Sequence, residues 1–341
     1  MNNSPDRDRA STAEKSKASH RRTLAVEIAP LATTILATVA LLSLVSARWG
    51  WRFPFELFAH FQLQYFLGSS LCLVVVLLTR RQPWLWISLG FFALQSSQIL
   101  PWYLPAGMTF GRPGAADTGE SLRVLVANVS AQNRSYAAVR SLVEQADPDL
   151  AIFMEVDEDW QTQLDSLNAQ LPYHMGQALP FYLGLLVYSK QPLQNPRVEL
   201  FGTEQNISLL GTLSFNDRPL SLIATHPLPP IRADLFHHRN QQLFAIGEYA
   251  RSLAGPVLLA GDFNVSLWSP YYRQLERRSR LHNARRGFGI LPTWSPLHPS
   301  WMLSLPIDHA LVSKELVATR VEVGPDIGSD HRPLIADLRW R

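Results

Sequence analysis

Three stretches free of Asp, Glu, Lys and Arg constrain this chain more than any other feature: Ile28 to Ala47, Leu57 to Thr79 and Gln82 to Gly111. They run for 20, 23 and 30 residues. A helix needs about 20 mostly apolar residues to cross a hydrocarbon layer roughly 30 Å thick, and each stretch meets that, the third best over Trp84 to Leu104. Core helices of a soluble domain rarely run so long without a charge. A cleaved leader ending at Val45-Ser46-Ala47 fits less well, because two more apolar stretches follow it. The expectation is a three-span membrane anchor over residues 23–104. It is preceded by a polar, basic tail over 1–22, expected to be disordered, and followed by a Pro/Gly/Ala linker over 105–120.

The distribution of charge sets the orientation. The tail carries six Lys/Arg, the segment after the first span Arg48 and Arg52, and the segment after the second Arg80 and Arg81. Tail and Arg80–Arg81 lie on one side of a three-span arrangement, and the excess of positive charge there places the N-terminus in the cytoplasm. Everything beyond the third span then lies on the opposite face. Trp49, Trp51, Trp84, Trp86 and Trp102 stand near span ends, where indoles favour the interface. No chain of ionisable groups runs through the spans, so they read as an anchor rather than a transport path.

The remaining 221 residues carry 20 basic and 21 acidic side chains, so this part has no basic field to attract a long polyanion. Apolar runs predict strands at Leu122–Val129, Leu150–Met154, Leu185–Tyr188, Leu209–Phe215, Leu220–Ala224, Val257–Ala260, Ala310–Val312 and Leu334–Leu338. Helices are predicted after Ser135 up to Asp147-Pro148, over 232–253, and from Ser269-Pro270. Many strands with few helices between them indicate packed sheets flanked by helices, an α/β class distinct from simple βα alternation.

Polar side chains collect at the ends of these strands. Asn128 ends the first and Glu155 follows the second. His226 follows SLIAT, and Asp262 and Asn264 follow VLLAG in GDFN. Asp308 and His309 precede ALVS in PIDHALVS, and Ser329, Asp330 and His331 stand in GSDHRPL. Each alone has a structural explanation, as a turn former or a satisfied histidine. Together they form a set of acids, amides and histidines with no cysteine among them, Cys72 being the only one in the chain and lying in the second span. That donor chemistry suits a hard cation, Mg²⁺ or Mn²⁺. Zinc fits less well: His237-His238 are adjacent on a predicted helix and point apart.

The segments RVLVANV, PDLAIFMEV, GLLVYSKQPL, ATHPLPP, LLAGDFNVSLWSPYYRQL, PIDHALVS and GSDHRPLIADL resemble, in order and over residues 123–338, the endonuclease/exonuclease/phosphatase superfamily. The membrane-anchored arrangement is similar to a bacterial inner-membrane branch of it. The resemblance implies a four-layer α/β/β/α fold, two sheets flanked by helices, over residues 121–341, with an extracytoplasmic active site at one sheet edge. It also implies a divalent-metal-dependent phosphoesterase acting on a phosphodiester. Glu155 would be the principal metal ligand, assisted by Asn128 and Asp330. Asp262 would orient or deprotonate the attacking water, and Asn264 would hold a phosphate oxygen. His331 would bind the phosphate or act as base with Asp308 as its carboxylate partner, and His226 would serve the leaving oxygen. The substrate is open at this point: nucleic acid, nucleotide or phospholipid, with a lipid phosphodiesterase or a phosphomonoesterase as the alternative, and a non-catalytic membrane scaffold as the other. The bilayer is the one partner the sequence indicates; no protein partner is inferable. The cluster Arg273, Arg277, Arg278, Arg280, Arg285 and Arg286 is either an anion-binding lip or a solvated face. Trp294 and Trp301 either stack on substrate or lipid, or pack.

Overall fold

A computed structural model describes residues 5–104, 119–202, 206–298 and 302–341. The expected linker, but for its last two residues, lies outside the described residues, as does Trp301.

Three helices open the chain: α1 (Pro5–Trp49), α2 (Gln62–Thr79) and α3 (Gln82–Ile99). The tail expected to be disordered is helical from Pro5, because extending an existing helix avoids the cost of nucleating one. By length and composition, α1 over Glu27–Trp49 and α2 can cross a membrane. The third helix is not among the qualifying segments: Gln82, Gln95 and Gln98, with three serines, dilute its apolar content. Buried polar pairs set the packing. Ser43 Oγ donates to Gln62 Oε1 (2.5 Å) and Gln95 Oε1 (3.2 Å), and the Thr33 and Ser88 hydroxyls meet at 3.0 Å. These contacts bring the end of α1 beside the start of α2 and run α3 alongside α1 in the same direction. Between α1 and α2 the chain makes a short 3₁₀ turn, Phe55–Ala59. Leu57 to Phe61, expected to begin the second span, therefore belongs to the connecting segment.

The rest of the chain builds two six-stranded sheets. Sheet one contains β1 (Leu122–Asn128), β2 (Leu150–Met154), β3 (Tyr173–Gln177), β4 (Leu185–Ser189), β11 (Leu316–Val323) and β12 (Leu334–Trp340), in the order β11-β12-β1-β2-β4-β3. Sheet two contains β5 (Gln194–Glu199), β6 (Ser208–Phe215), β7 (Arg218–Thr225), β8 (Val257–Asp262), β9 (His282–Asn283) and β10 (Asp308–Val312), in the order β5-β6-β7-β8-β10-β9. Each sheet has one parallel pair, β1 with β2 and β7 with β8, and every other pairing is antiparallel.

The central strands read as continuous apolar runs because both faces are covered. Val124, Val126 and Ile152 meet Leu222, Leu258 and Ala260 between the sheets. On the other face of sheet one, Leu125, Ala127 and Phe153 pack under helices α4 (Tyr136–Ala146) and α5 (Glu158–Leu164) through Val139, Leu142 and Trp160. On the other face of sheet two, Ile223, Leu259 and Leu311 pack under α6 (Ala233–Ser252) and α7 (Pro270–Ser279) through Leu243, Ile246 and Leu275. The layers are helix, sheet, sheet, helix, as expected.

The helical bundle docks on the outer face of sheet two. Trp268 Nε1 donates to the Gln98 carbonyl (2.9 Å), the amides of Gly287 and Gly289 both reach the Trp102 carbonyl (3.0 Å), and Tyr271 Oη donates to the Trp51 carbonyl (2.8 Å). Deeper still, Glu56 and Arg239 of α6 form a buried ion pair at 2.5 Å, and Ser269 Oγ donates to the same Glu56. All these contacts involve one end of the bundle, where α1 and α3 finish and α2 begins.

Candidate active site

The two parallel pairs point their carboxyl ends to the same rim. There the chain leaves the sheets and carries side chains into the crevice, as open α/β sheets do. Asn128 ends β1 opposite Met154, Glu155 follows β2, His226 follows β7 and Asp262 ends β8. The antiparallel neighbours begin at this rim: Asp308 pairs in register with Asp262, and His331 stands just ahead of β12. Glu155 (φ 59°) and Asn264 (φ 50°) adopt left-handed backbone, a conformation that costs a non-glycine residue about 1–3 kcal/mol and that gathers at functional sites. Gly261 permits the close approach of β8 to β7. Its φ is +143°, and a Cβ there would lie 1.9 Å from the Thr225 carbonyl oxygen.

Asp262 is the centre of the arrangement. Its Oδ1 accepts from the Asn264 backbone amide (2.8 Å). Its Oδ2 faces Asn128 Nδ2 (3.3 Å), His226 Nε2 (3.5 Å) and His331 Nε2 (3.6 Å). His331 Nδ1 meets Asp308 Oδ2 at 3.0 Å, and both residues are buried. Burial alone would lower the His331 pKa, but the Asp308 and Asp262 carboxylates, with Asp330, more than offset it and raise it to about 10. His226 is likewise raised: burial opposes the charge, and the bond to Asp262 overcomes that. Asp308 is pulled below the ordinary carboxylate range, against its burial, by His331. Asn264 Nδ2 donates to the Pro227 carbonyl (2.9 Å) and lies 3.4 Å from His226 Nε2.

Glu155 and Asp330 face a polar cavity of about 620 Å³, together with Asp157, Gln132 and Tyr182. Glu155 Oε1 accepts from Asn128 Nδ2 (3.0 Å) and Oε2 from the Ala131 amide (3.3 Å). Asn128, expected as a metal ligand, presents its amide nitrogen to the site. Its oxygen is taken by the Ser130 backbone N–H (3.0 Å) in the turn that ends β1. A second donor group, Asp262, Asp308 and His331, has ligand atoms within 4.8 Å of one another.

All eight expected site residues thus meet at one rim. His309 does not join them: it is buried in β10 between Phe263 and Tyr272, with Nε2 on the Val265 carbonyl. Three members of the arginine cluster are engaged elsewhere, while Arg277 and Arg280 are exposed. Arg285 is buried and donates to the Asp308 carbonyl, while Arg278 and Arg286 pair with Glu248 and Glu276. Trp294 proves closer to the chemistry than a packing residue, since its Nε1 donates to Asp330 Oδ2 (2.8 Å). Sequence reasoning missed Arg239, whose Nη1 donates to the Asn264 carbonyl at 2.7 Å, and Glu56 beside it. The available signal was a lone acid between two apolar helices.

A profile of the endonuclease/exonuclease/phosphatase family matches residues 125–331, and the chain belongs to that family. Solved structures share the fold. A 3′ phosphatase from Neisseria, NExo, bound to product DNA hairpin, is 20% identical with a TM-score of 0.55 over 64% of this chain and 100% of that one. The human Nocturnin catalytic domain, with bound sulfate, is 18% identical with a TM-score of 0.53 over 65% and 95%. An endonuclease/exonuclease/phosphatase protein from Beutenbergia cavernae DSM 12333 is 19% identical with a TM-score of 0.53 over 65% and 72%. Comparison with curated proteins returns no match. The family comprises metal-dependent hydrolases of phosphate esters, and this chain is an enzyme of that class.

Proposed function

We propose that this chain is a membrane-anchored, Mg²⁺- or Mn²⁺-dependent phosphodiesterase in which water attacks phosphorus. The observation that carries the reading is the convergence of His226, His331, Asn128 and Asn264 on the single carboxylate of Asp262.

The donor set fits a hard cation. Glu155 and Asp330 offer carboxylate oxygens to one polar cavity, and Asn128 orients Glu155. The alternative trio is less suited, because the Asp308 and Asp262 carboxylates on either side of His331 favour its protonated imidazole, which has no lone pair to offer a metal. Glu155 and Asp330 would hold the cation, which would supply neutralisation of charge on the phosphoryl oxygens. Asp262 takes a proton from the attacking water. Asn264 and His331 hold phosphoryl oxygens, with Asp308 fixing the imidazole. As the water oxygen bonds to phosphorus and the ester P–O bond breaks, His226 protonates the departing oxygen.

We extend the reading to the anchor: all three helices cross, with the N-terminus in the cytoplasm and the catalytic part outside, at the inner membrane of a bacterium. Supporting this, α1 and α3 run in the same direction, α2 in the opposite one, and the catalytic part docks at the end away from Arg80 and Arg81. Hydrolysis of bis(p-nitrophenyl) phosphate by the full chain, titrated with Mg²⁺, tests the chemistry. Asp262→Asn is expected to lose on the order of 10³-fold in kcat, and undiminished turnover in that folded variant would sink the assignment. A C-terminal reporter active only in the cytoplasm would reverse the orientation.

A further inference from the structure

The centre stands between two unlike cavities. One is the polar cavity of Glu155 and Asp330. The other, of about 370 Å³, has walls almost wholly of carbon, and its volume falls in the roughly 300–1,000 Å³ range of small-molecule sites. Asn264 and Trp294 line this second cleft, so one end of it touches the reacting rim. Leu305 and Ile307, both buried, line it as well. Leu57 and Phe61 also line it, and both come from the segment joining α1 to α2.

Resting on the phosphodiesterase reading above, we propose that this cleft receives the hydrocarbon chain of a bilayer phosphodiester lipid. The lipid's polar substituent would then lie in the cavity of Glu155 and Asp330. Three observations favour an alkyl chain. The mouth exposes apolar surface, with Ile231 74% and Leu57 37% accessible. The segment carrying Leu57 and Phe61 runs directly into α2, where Leu67, Leu71, Val74 and Leu78 are exposed. Among the described residues no Lys or Arg lines the cleft, whereas a nucleic-acid strand is held chiefly through cationic contacts to its phosphates. A cleft on one side for hydrocarbon and a cavity on the other for polar groups matches a diester with one substituent of each kind.

The test uses the full chain in nanodiscs with Mg²⁺ and a decyl methyl phosphodiester carrying a diazirine midway along its alkyl chain. After irradiation, peptide mass spectrometry is expected to find the label on the segments of Leu57–Phe61, Ile231 and Leu305–Ile307. In the double variant Leu57→Glu/Ile231→Glu, both positions being exposed enough to leave the fold intact, labelling of these segments is expected to drop roughly tenfold or more. Label confined to other segments, or unchanged in a double variant with wild-type melting temperature, overturns the proposal. Protection of these segments by a single-stranded oligonucleotide, but not by unlabelled decyl methyl phosphate, assigns the cleft to nucleobases instead. Hydrolysis of bis(p-nitrophenyl) phosphate is run alongside. Hydrolysis without labelling sinks the cleft alone, whereas labelling without hydrolysis sinks the phosphodiesterase reading and leaves the cleft standing.

Discussion

Two of the buried ion pairs, Glu56–Arg239 and Asp308–His331, are built to opposite ends. Glu56 and Arg239 are closed off. The guanidinium also reaches Asn240 Oδ1 and the Asn264 carbonyl, and the carboxylate also accepts from Ser269. Asp308 and His331 are left open. Asp308 Oδ1 has no partner among the described residues, and His331 Nε2 has only neighbours at 3.4–3.6 Å. An unfilled hydrogen-bonding group on a buried charge costs stability, and the Glu56–Arg239 pair leaves none unfilled. At Asp308 and His331 the spare capacity lies at the rim where the site residues converge.

That contrast can be broken at either pair. Asp308→Asn should lower kcat on the order of 10²–10⁴-fold while moving the melting temperature far less than Glu56→Ala does; equal losses of stability in the two would erase the distinction. Glu56→Ala leaves Arg239 buried without its carboxylate and should cost about 3–5 kcal/mol in denaturant unfolding. Trp294→Phe removes the donor to Asp330 and should raise the Mg²⁺ concentration for half-maximal activity about 10–100-fold, with kcat at saturating metal little changed.

The smallest effect concerns pH. His60 sits beside the closed pair, its Nδ1 2.9 Å from Ser266 Oγ and its Nε2 3.9 Å from Glu56. Burial, against the pull of Glu56 and aided by Arg239, lowers its pKa from 6.5 to about 4. The folded protein therefore keeps His60 neutral where the unfolded chain takes up a proton, so its contribution is present above pH 6.5 and is lost as pH falls toward 4. The decline in melting temperature over that interval should be shallower in His60→Asn. An unchanged slope would remove His60 from the account, leaving the lowered His282 and His309, which act in the same direction.

The same contrast explains what could be read from the sequence. Central strands such as Leu150–Met154 and the rim residues following them were legible, because a strand buried on both faces is an unbroken apolar run and the polar residue after it stands out. Strands β3 and β5 were not: they are edge strands with mostly exposed side chains and carry no alternation. Glu56 and Arg239 were hidden for another reason. Nothing local marks two residues 183 positions apart as a pair; only the docking of the helices on sheet two brings them together.

The connection from Gly50 to Phe61 begins and ends on helices that, in the membrane reading, are fixed in the lipid, and its Glu56 is tied through Arg239 to the Asn264 carbonyl. A reaction centre held without slack samples only molecules within a set height of the leaflet. Its turnover would then track how densely substrate crowds that two-dimensional layer, and diluting the surrounding fluid would leave it unchanged.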